Sequence, residues 1–318
     1  MLENKKDYKA WLYIALPLIL LSLFTFYPLI KTVLISFFSG YNSIADDFGT
    51  YFDAAAYMAL FKDPYYIGAL KNTMLLVFVS VPISTILAIL IAVALNSIKP
   101  LQRIFQTIFF IPYVTNTLAI GMVFAVMFSH PLTQGVVAEG LINTLFEMTT
   151  DWIGPTATYN NWMFVVLIYT IWSALPFKIL VFIGGLQNIS KQYYDAAKID
   201  GTPKRSVLTR ITIPLLSPLI SYILITSFIG AFKAYESVFA VAGTGARLPA
   251  ERWTSVAYVY DKINQYGLDG NGISYYSRGA AGAVILFLII LVFTIVNLYV
   301  SKNVFITKED KNDSKRKF

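Results

Sequence analysis

The chain has 318 residues, of which 57% are hydrophobic and 14% are charged, and its mean hydropathy is +0.62. This composition excludes an ordinary soluble domain of this length and favours a protein that crosses the membrane several times. The net charge is +7, but the basic residues lie at the ends of apolar runs, so no nucleic-acid partner is expected. Because cysteine is absent and His130 is the single histidine, thiolate and histidine-cluster metal sites are excluded as well.

Six apolar runs are long enough to cross a hydrocarbon core, which takes about 20 apolar residues in a helix. In chain order they cover about residues 11–38, 73–95, 104–128, 162–186, 211–235 and 280–300. Each contains proline, glycine, serine or threonine, which membrane helices tolerate and use where they pack closely. The sequence therefore predicts an all-α membrane protein with six transmembrane helices, in which residues 1–318 form a single transmembrane domain.

The first run follows a short basic stretch, as the core of a secretory signal peptide would. Its apolar region is longer than such a core, it contains Pro17 and Pro28, and no small-x-small cleavage site follows. We therefore expect an uncleaved membrane anchor.

Lysine and arginine are concentrated in alternate segments between the runs. They cluster within residues 5–9, 99–103, 191–210 and 302–317, whereas the other loops hold fewer and residues 129–160 hold none. Because basic loops stay in the cytoplasm, we expect both tails, about residues 1–10 and 301–318, on the cytoplasmic side. The opposite loops are rich in tyrosine and tryptophan, which fit either anchoring at the membrane interface or docking of an extracytoplasmic partner.

The basic segment at residues 190–210 has the pattern of two helices joined by a tight turn. Ser190 is a suitable N-cap, good helix formers follow it, and Gly201 supplies the left-handed residue that ends a helix. Thr202 can cap a second helix with Pro203 at its first position. We expect this pair of helices to lie across the cytoplasmic end of the bundle.

Residues 195–201 read Asp-Ala-Ala-Lys-Ile-Asp-Gly. With the residues that follow, this pattern resembles the cytoplasmic coupling loop of binding-protein-dependent ABC transporter permeases, Glu-Ala-Ala, two residues, Asp-Gly-Ala and then Ile-x-Leu-Pro. The matching positions are Ala196, Ala197, Asp200, Gly201, Ile211, Pro214 and Pro218. The departures are Asp195 for Glu, Thr202 for Ala, Leu208 for Phe and Ile213 for Leu. The alternative is a solvated connector in which Asp195 and Lys198 form an ordinary i, i+3 pair.

The resemblance extends over about residues 10–305. Residues 69–73, Ala-Leu-Lys-Asn-Thr, resemble the start of the permease core of this family. Residues 109–112, Phe-Phe-Ile-Pro, and 140–143, Gly-Leu-Ile-Asn, resemble its carbohydrate branch, typified by maltose, glycerol phosphate and multiple-sugar importers. The resemblance implies a type I importer permease fold with a cytoplasmic coupling helix, and import of a sugar or oligosaccharide.

The same resemblance implies a division of labour between subunits. The sequence has no G-x-x-x-x-G-K-[ST] phosphate loop, and Gly243-Thr244-Gly245 is no substitute, so this chain is expected to be neither an ATPase nor an ATP-binding protein. ATP and magnesium would belong to two separate ATP-binding subunits. The coupling residues that would meet them are Asp195, Ala196, Ala197, Asp200 and Gly201. A second, different permease subunit and an extracytoplasmic solute-binding protein would complete the assembly, in the cell membrane of a bacterium or archaeon.

The substrate path is expected between the spans that flank the coupling loop. By resemblance, the candidates are Thr170, Ser173, Phe177 and Ser227. Hydroxyls with an aromatic face suit a sugar, although serine and threonine also serve in helix packing. Lys178 and Lys233 are possible charged residues of the path. Snorkelling of Lys178 to the headgroups and pairing of Lys233 with Glu236 are the alternatives.

Other functions lead to different expectations. The same machinery could carry glycerol phosphate or another polar solute. An ion-coupled secondary transporter would be expected to have carboxylates within the membrane, but none of the six runs contains Asp or Glu. An intramembrane enzyme would need a catalytic dyad or metal cluster inside the bundle, and His130 lies at an outer loop. The sequence names neither the cargo nor the identity of the partner subunits.

Overall fold

The computed structural model describes residues 7–49, 51–98, 102–130, 139–241 and 248–301, and these residues are mostly helical. The helices are α1 (Asp7–Leu21), α2 (Tyr27–Ser36), α3 (Ala55–Lys62), α4 (Pro64–Ser97), α5 (Gln102–Val114), α6 (Thr117–Met127), α7 (Leu141–Phe146), α8 (Tyr159–Asn188), α9 (Lys191–Ile199), α10 (Lys204–Val207), α11 (Ile213–Phe232), α12 (Glu236–Val241), α13 (Ser255–Ile263) and α14 (Tyr275–Ser301). Within the described ranges, β pairing is limited to isolated bridges, Asn42 with Asp47 and Leu268 with Ser274.

Helices of sufficient length and apolarity to cross a membrane account for the predicted spans. Within the described residues, five such stretches are Tyr13–Ser36, Pro64–Ser97, Tyr159–Asn188, Lys204–Phe232 and Tyr275–Ser301. A bent pair of helices, Ile104–Val114 and Thr117–Met127, counts as a sixth span if the two cross the membrane together. The prediction of an all-α membrane protein is confirmed. The predicted tails fall largely on residues 1–6 and 302–318, which lie outside the described residues, as do residues 243–245.

The third span differs from its prediction. We expected one helix over residues 104–128, but Ile104–Val114 and Thr117–Met127 meet at 97°. Asn116 explains the break, because its side-chain oxygen accepts hydrogen bonds from the backbone N–H groups of Leu118 and Ala119 at 2.8 and 3.4 Å. An N-cap of this kind begins a new helix inside an apolar run.

The fifth span also differs, because it begins earlier than residue 211. Helix α10, a π-helical turn at Leu208–Thr212 and α11 form one stretch, Lys204–Phe232. The second helix predicted in the 190–210 segment is therefore the first turn of this span, and its N-cap is Pro203 where we expected Thr202. Other spans also begin earlier than predicted, because α4 and α14 continue before the apolar runs on which the prediction was based.

The described residues form two compact units, residues 7–67 with 255–288 and residues 68–254 with 289–301. The single-domain organisation expected from the sequence stays a prediction. In the first unit, Asp63 accepts a hydrogen bond from the Tyr258 hydroxyl at 2.8 Å, and Arg278 pairs with Asp269 at 3.1 Å. Burial and the hydrogen bond to Asp63 raise the pKa of the Tyr258 hydroxyl.

The second unit contains two apolar cores. One surrounds Trp162 and Tyr169 of α8 together with Phe124 of α6. The other joins Phe182 of α8 with Leu216 of α11 and Ala92 of α4. Helix α8 therefore contributes to both cores, which fixes its position beside α4 and α11, where the candidate path residues lie.

Candidate functional site

Helix α9 and the turn that ends it form the first candidate site. Ser190 caps the helix, since its hydroxyl accepts from the N–H of Gln192 at 3.4 Å. At the other end Gly201 has a φ of +66°. Its N–H donates to the carbonyl of Lys198 at 3.2 Å, and the N–H of Thr202 donates to that of Ala197 at 2.9 Å. This is the Schellman pattern, in which a glycine lets the chain leave the helix sharply.

The predicted coupling residues differ in exposure. Asp195, Ala196, Asp200 and Gly201 are exposed, whereas Ala197 is only 5% exposed. Four of the five predicted positions therefore offer surface to a partner. Ala197 is on the side of α9 that is buried within this chain.

Sequence reasoning missed two apolar residues of α9. Ile199 is 86% exposed and Tyr193 is 54% exposed. With Ala196, they are spaced by three residues, which places them along one helix face. The sequence gives only the spacing of these residues. The exposure of Ile199 follows from the burial of Ala197, which lies about 200° from it around the helix.

The second candidate site is a cavity of about 550 Å³ in the second unit. All six residues predicted for the path line it, namely Thr170, Ser173, Phe177, Lys178, Ser227 and Lys233. They come from α8 and from α11 with the residue that caps it. The structure therefore brings the six together, although passage of a substrate through the cavity stays a prediction.

Further polar and aromatic residues line the cavity that the sequence did not identify. They are Ser80 and Ser84 of α4, Tyr113 and Thr117 at the break between α5 and α6, and Thr226 and Tyr235 in or after α11. The ring of Tyr113 stacks on that of Phe177, with centroids 5.6 Å apart and planes at 21°. The cavity thus lies at the α5–α6 break and at the end of α11, and such interrupted helices frame many transport sites.

Lys178 is buried in the wall of this cavity, with 4% of its surface exposed. Its Nζ donates to the hydroxyl oxygens of Ser84 at 2.7 Å and Thr85 at 3.1 Å. Snorkelling to the headgroups is therefore the wrong explanation for this lysine. Lys233 is exposed, and no ion pair joins it to Glu236 among the described residues. Lys31, by contrast, pairs with Asp46 at 2.7 Å.

A buried hydroxyl in the cavity wall has no hydrogen-bond partner among the described residues. The Oγ1 atom of Thr170 is buried and unpaired, whereas Ser173 donates to the carbonyl of Thr170 at 3.2 Å. An unpaired buried hydroxyl is costly unless water or a ligand bonds to it. No group of three or more His, Asp or Glu side chains within the described ranges is placed to hold a metal ion.

Residues 80–306 match the family described as the inner membrane component of binding-protein-dependent transport systems. The chain belongs to this family. It is therefore a permease subunit and a multi-pass membrane protein. The matched region includes the 190–210 segment and all of the residues that line the cavity.

Two relatives align with most of the permease. The lactose transport system permease protein LacF of Rhizobium radiobacter is 28% identical over 95% of this chain and 96% of its own length. The arabinooligosaccharides transport system permease protein AraP of Halalkalibacterium halodurans is 31% identical over 87% of this chain and 82% of its own. Both are named as permeases for sugars.

A solved structure shares the fold of this permease. A chain of a bacterial alginate ABC transporter, crystallised with a periplasmic protein that binds an alginate pentasaccharide, has a TM-score of 0.75 and 19% identity. The match covers 95% of this chain and 96% of that one. At this identity the likeness establishes the fold of an ABC importer permease.

Proposed function

We propose that this permease forms part of the path by which an ATP-driven importer moves a sugar or oligosaccharide across the cell membrane. The observation that supports this most directly is the cavity between α4, α8 and α11, whose lining combines hydroxyls with the Tyr113–Phe177 pair. A sugar presents apolar C–H faces to aromatic rings and hydroxyl edges to polar side chains. The sugars in the names of the relatives agree with this cargo class.

The energy for transport would come from other subunits. Two ATP-binding subunits would hold ATP and magnesium, and the exposed face of α9 with the turn at Gly201 would contact them. The lack of a phosphate loop in this sequence supports that division. A second permease subunit, different from this chain, would complete the pore, and an extracytoplasmic binding protein would deliver the cargo.

The proposed orientation places α9 and both termini in the cytoplasm of a bacterium or archaeon. Its support is the distribution of lysine and arginine among the loops, which concentrates them at the 190–210 segment and the tails. In this orientation α9 can meet an ATPase, and the loops that are rich in tyrosine and tryptophan can meet a binding protein.

Reconstitution of the complete transporter tests this proposal. The permease, its partner permease, the ATP-binding subunits and the binding protein would be placed in proteoliposomes, and uptake of labelled arabinotriose, lactose and acidic oligosaccharides would be measured. We expect uptake with ATP and none with ADP, unaffected by ionophores. Uptake that follows an ion gradient without ATP would identify a secondary transporter and contradict the proposal.

A paired substitution tests whether the cavity is the path. Phe177→Ala should lower uptake by about tenfold, because an aromatic face for the sugar is lost. Phe164→Ala is the control, since Phe164 is an exposed phenylalanine of the same helix that does not line the cavity. Equal uptake by the two variants would place the path elsewhere.

A further inference from the structure

Lys178 is a buried cation that no carboxylate among the described residues balances. Both of its hydrogen bonds go to neutral hydroxyls, and within the described residues it forms no ion pair with a carboxylate. An ammonium group has three donors, so one remains after Ser84 and Thr85 are bonded. A charge held in a low-dielectric site with no counter-ion is costly, and such residues within membranes are commonly functional.

The two hydroxyls are arranged to accept from Lys178. Ser84 donates its own proton to the carbonyl of Ser80, and Thr85 donates to that of Val81 at 2.7 Å. Each hydroxyl oxygen therefore presents lone pairs to the ammonium group while its proton is bound within α4. The hydroxyl protons of Ser84 and Thr85 already have acceptors within α4. Replacement of Lys178 therefore leaves no unpaired donor on either residue.

The charged residues of the cavity leave an excess of positive charge. Lys178 and Lys233 line it, and Glu236 is the carboxylate that lines it within the described ranges. Glu236 is exposed, and in the part of the chain that the structure describes it forms no ion pair with either lysine. The buried position at Lys178 is therefore open to an anionic group from the cargo.

The neighbour of Lys178 in the chain, Phe177, supplies the second part of the site. Its ring stacks on Tyr113, and both rings line the same cavity as Lys178. A sugar that lies against this pair can direct a substituent toward the lysine. Lysine is a compact point charge with rotatable donors, so the donor that Ser84 and Thr85 leave free can bond to one oxygen of a carboxylate.

We propose that the cargo is an acidic saccharide, with the carboxylate of a uronate residue on Lys178 and its ring against Tyr113 and Phe177. This inference rests on the proposed function and specifies its cargo. A neutral sugar would give Lys178 hydroxyl dipoles but no charge to balance it. A uronate gives both.

The test uses the complete transporter in proteoliposomes with oligogalacturonate, oligomannuronate and oligoglucuronate, each beside its neutral methyl ester. We expect at least one acid to enter about tenfold faster than its ester. Lys178→Met should reduce uptake of that acid by about thirtyfold or more, because a buried charge pair is lost. Lys178→Arg should retain part of it, and Lys71→Met, at an exposed lysine of α4 outside the cavity, should match the unaltered permease.

The melting temperature of the Lys178→Met variant distinguishes a role of Lys178 in binding cargo from a role in holding the fold. Lys178→Met should leave the melting temperature of the cargo-free transporter unchanged or raise it, since it removes an uncompensated buried charge. A lower melting temperature, or equal loss of acid and neutral uptake, would overturn the assignment. ATP-driven uptake of neutral arabinotriose without any acid would overturn it and leave the proposed function intact, whereas ATP-driven uptake of no saccharide would overturn both.

Discussion

Gly121 of α6 lies directly against the backbone of Ala240 in α12. A Cβ added to the glycine would lie 2.8 Å from the carbonyl carbon and 2.9 Å from the Cα of Ala240. Backbone atoms cannot turn aside as the end of a flexible side chain can. Glycine at this position therefore allows α6 to approach α12, whose first residues, Glu236 and Ser237, line the cavity.

Gly121→Ala should accordingly destabilise the permease and reduce uptake. The expected loss is about 1–3 kcal/mol of unfolding free energy, which is typical of overpacking in a tight contact. Thermal unfolding in detergent and uptake in proteoliposomes would measure the two effects. Gly184→Ala is the matched control, because no atom of the described residues lies within 4 Å of a Cβ at that helical position. Equal melting temperatures for both variants would contradict the role of the contact.

The residues that line the cavity fall into two groups, those that the sequence predicted and those that it did not. Thr170, Ser173 and Phe177 were identified by their place in the span before the 190–210 segment, which is local information combined with a family resemblance. Ser84 and Tyr113 were missed, because their approach depends on how α4 and the α5–α6 break pack against α8. Such tertiary packing leaves no periodic signal in a single sequence.

The break in the third span was partly predictable from the sequence. Asn116 is a polar cap residue inside an apolar run, and such residues favour helix starts. Composition alone nevertheless supports one span over residues 104–128, because a short polar interruption barely lowers the apolar content of so long a window. The angle of 97° between the halves follows from packing.

Asn72, in the Ala-Leu-Lys-Asn-Thr segment at residues 69–73, connects three parts of the second unit by hydrogen bonds. It is 3% exposed, and its amide nitrogen donates to the carbonyls of Glu251 and Trp253, both at 2.9 Å. Its oxygen accepts from the hydroxyl of Tyr159 at 2.8 Å. One side chain therefore holds α4, the start of α8 and the turn before α13 together.

Asn72→Leu should lower the unfolding free energy by about 2 kcal/mol, since three part-buried hydrogen bonds are lost and each contributes about 0.5–1.5 kcal/mol. Melting temperature in detergent is the measurement. Lys71→Leu, at the exposed neighbouring position, should have little effect. If the two leucine variants melt together, the hydrogen bonds of Asn72 do not hold these segments.

Substitutions at Gly201 test whether transport needs the backbone conformation of this turn. The space around a Cβ at this position is open, so a side chain meets no obstacle and the φ of +66° is the constraint. Gly201→Asn should keep most of the ATP-driven uptake, because asparagine tolerates the left-handed region. Gly201→Pro should abolish uptake, because proline fixes φ near −65° and lacks the N–H that bonds to Lys198.

Membrane insertion is the control for the Gly201 pair. Both variants should reach the membrane fraction in normal amounts, since the turn lies outside the apolar spans. Uptake by Gly201→Pro at the unaltered rate would show that the geometry of this turn is not needed for transport.

Ile199 tests the proposed contact with the ATP-binding subunits. Ile199 is 86% exposed in the isolated chain. If a partner covers this side chain, its burial stabilises the complex by about 2 kcal/mol. Ile199→Ser should therefore weaken association with the ATP-binding subunit by about thirtyfold, as measured by binding of the purified subunit to the permease in nanodiscs. Gln192→Ser, at an exposed polar position of the same helix, should leave the dissociation constant unchanged. Equal affinities for the two variants would mean that the face formed by Tyr193, Ala196 and Ile199 is not the one that the ATP-binding subunit covers.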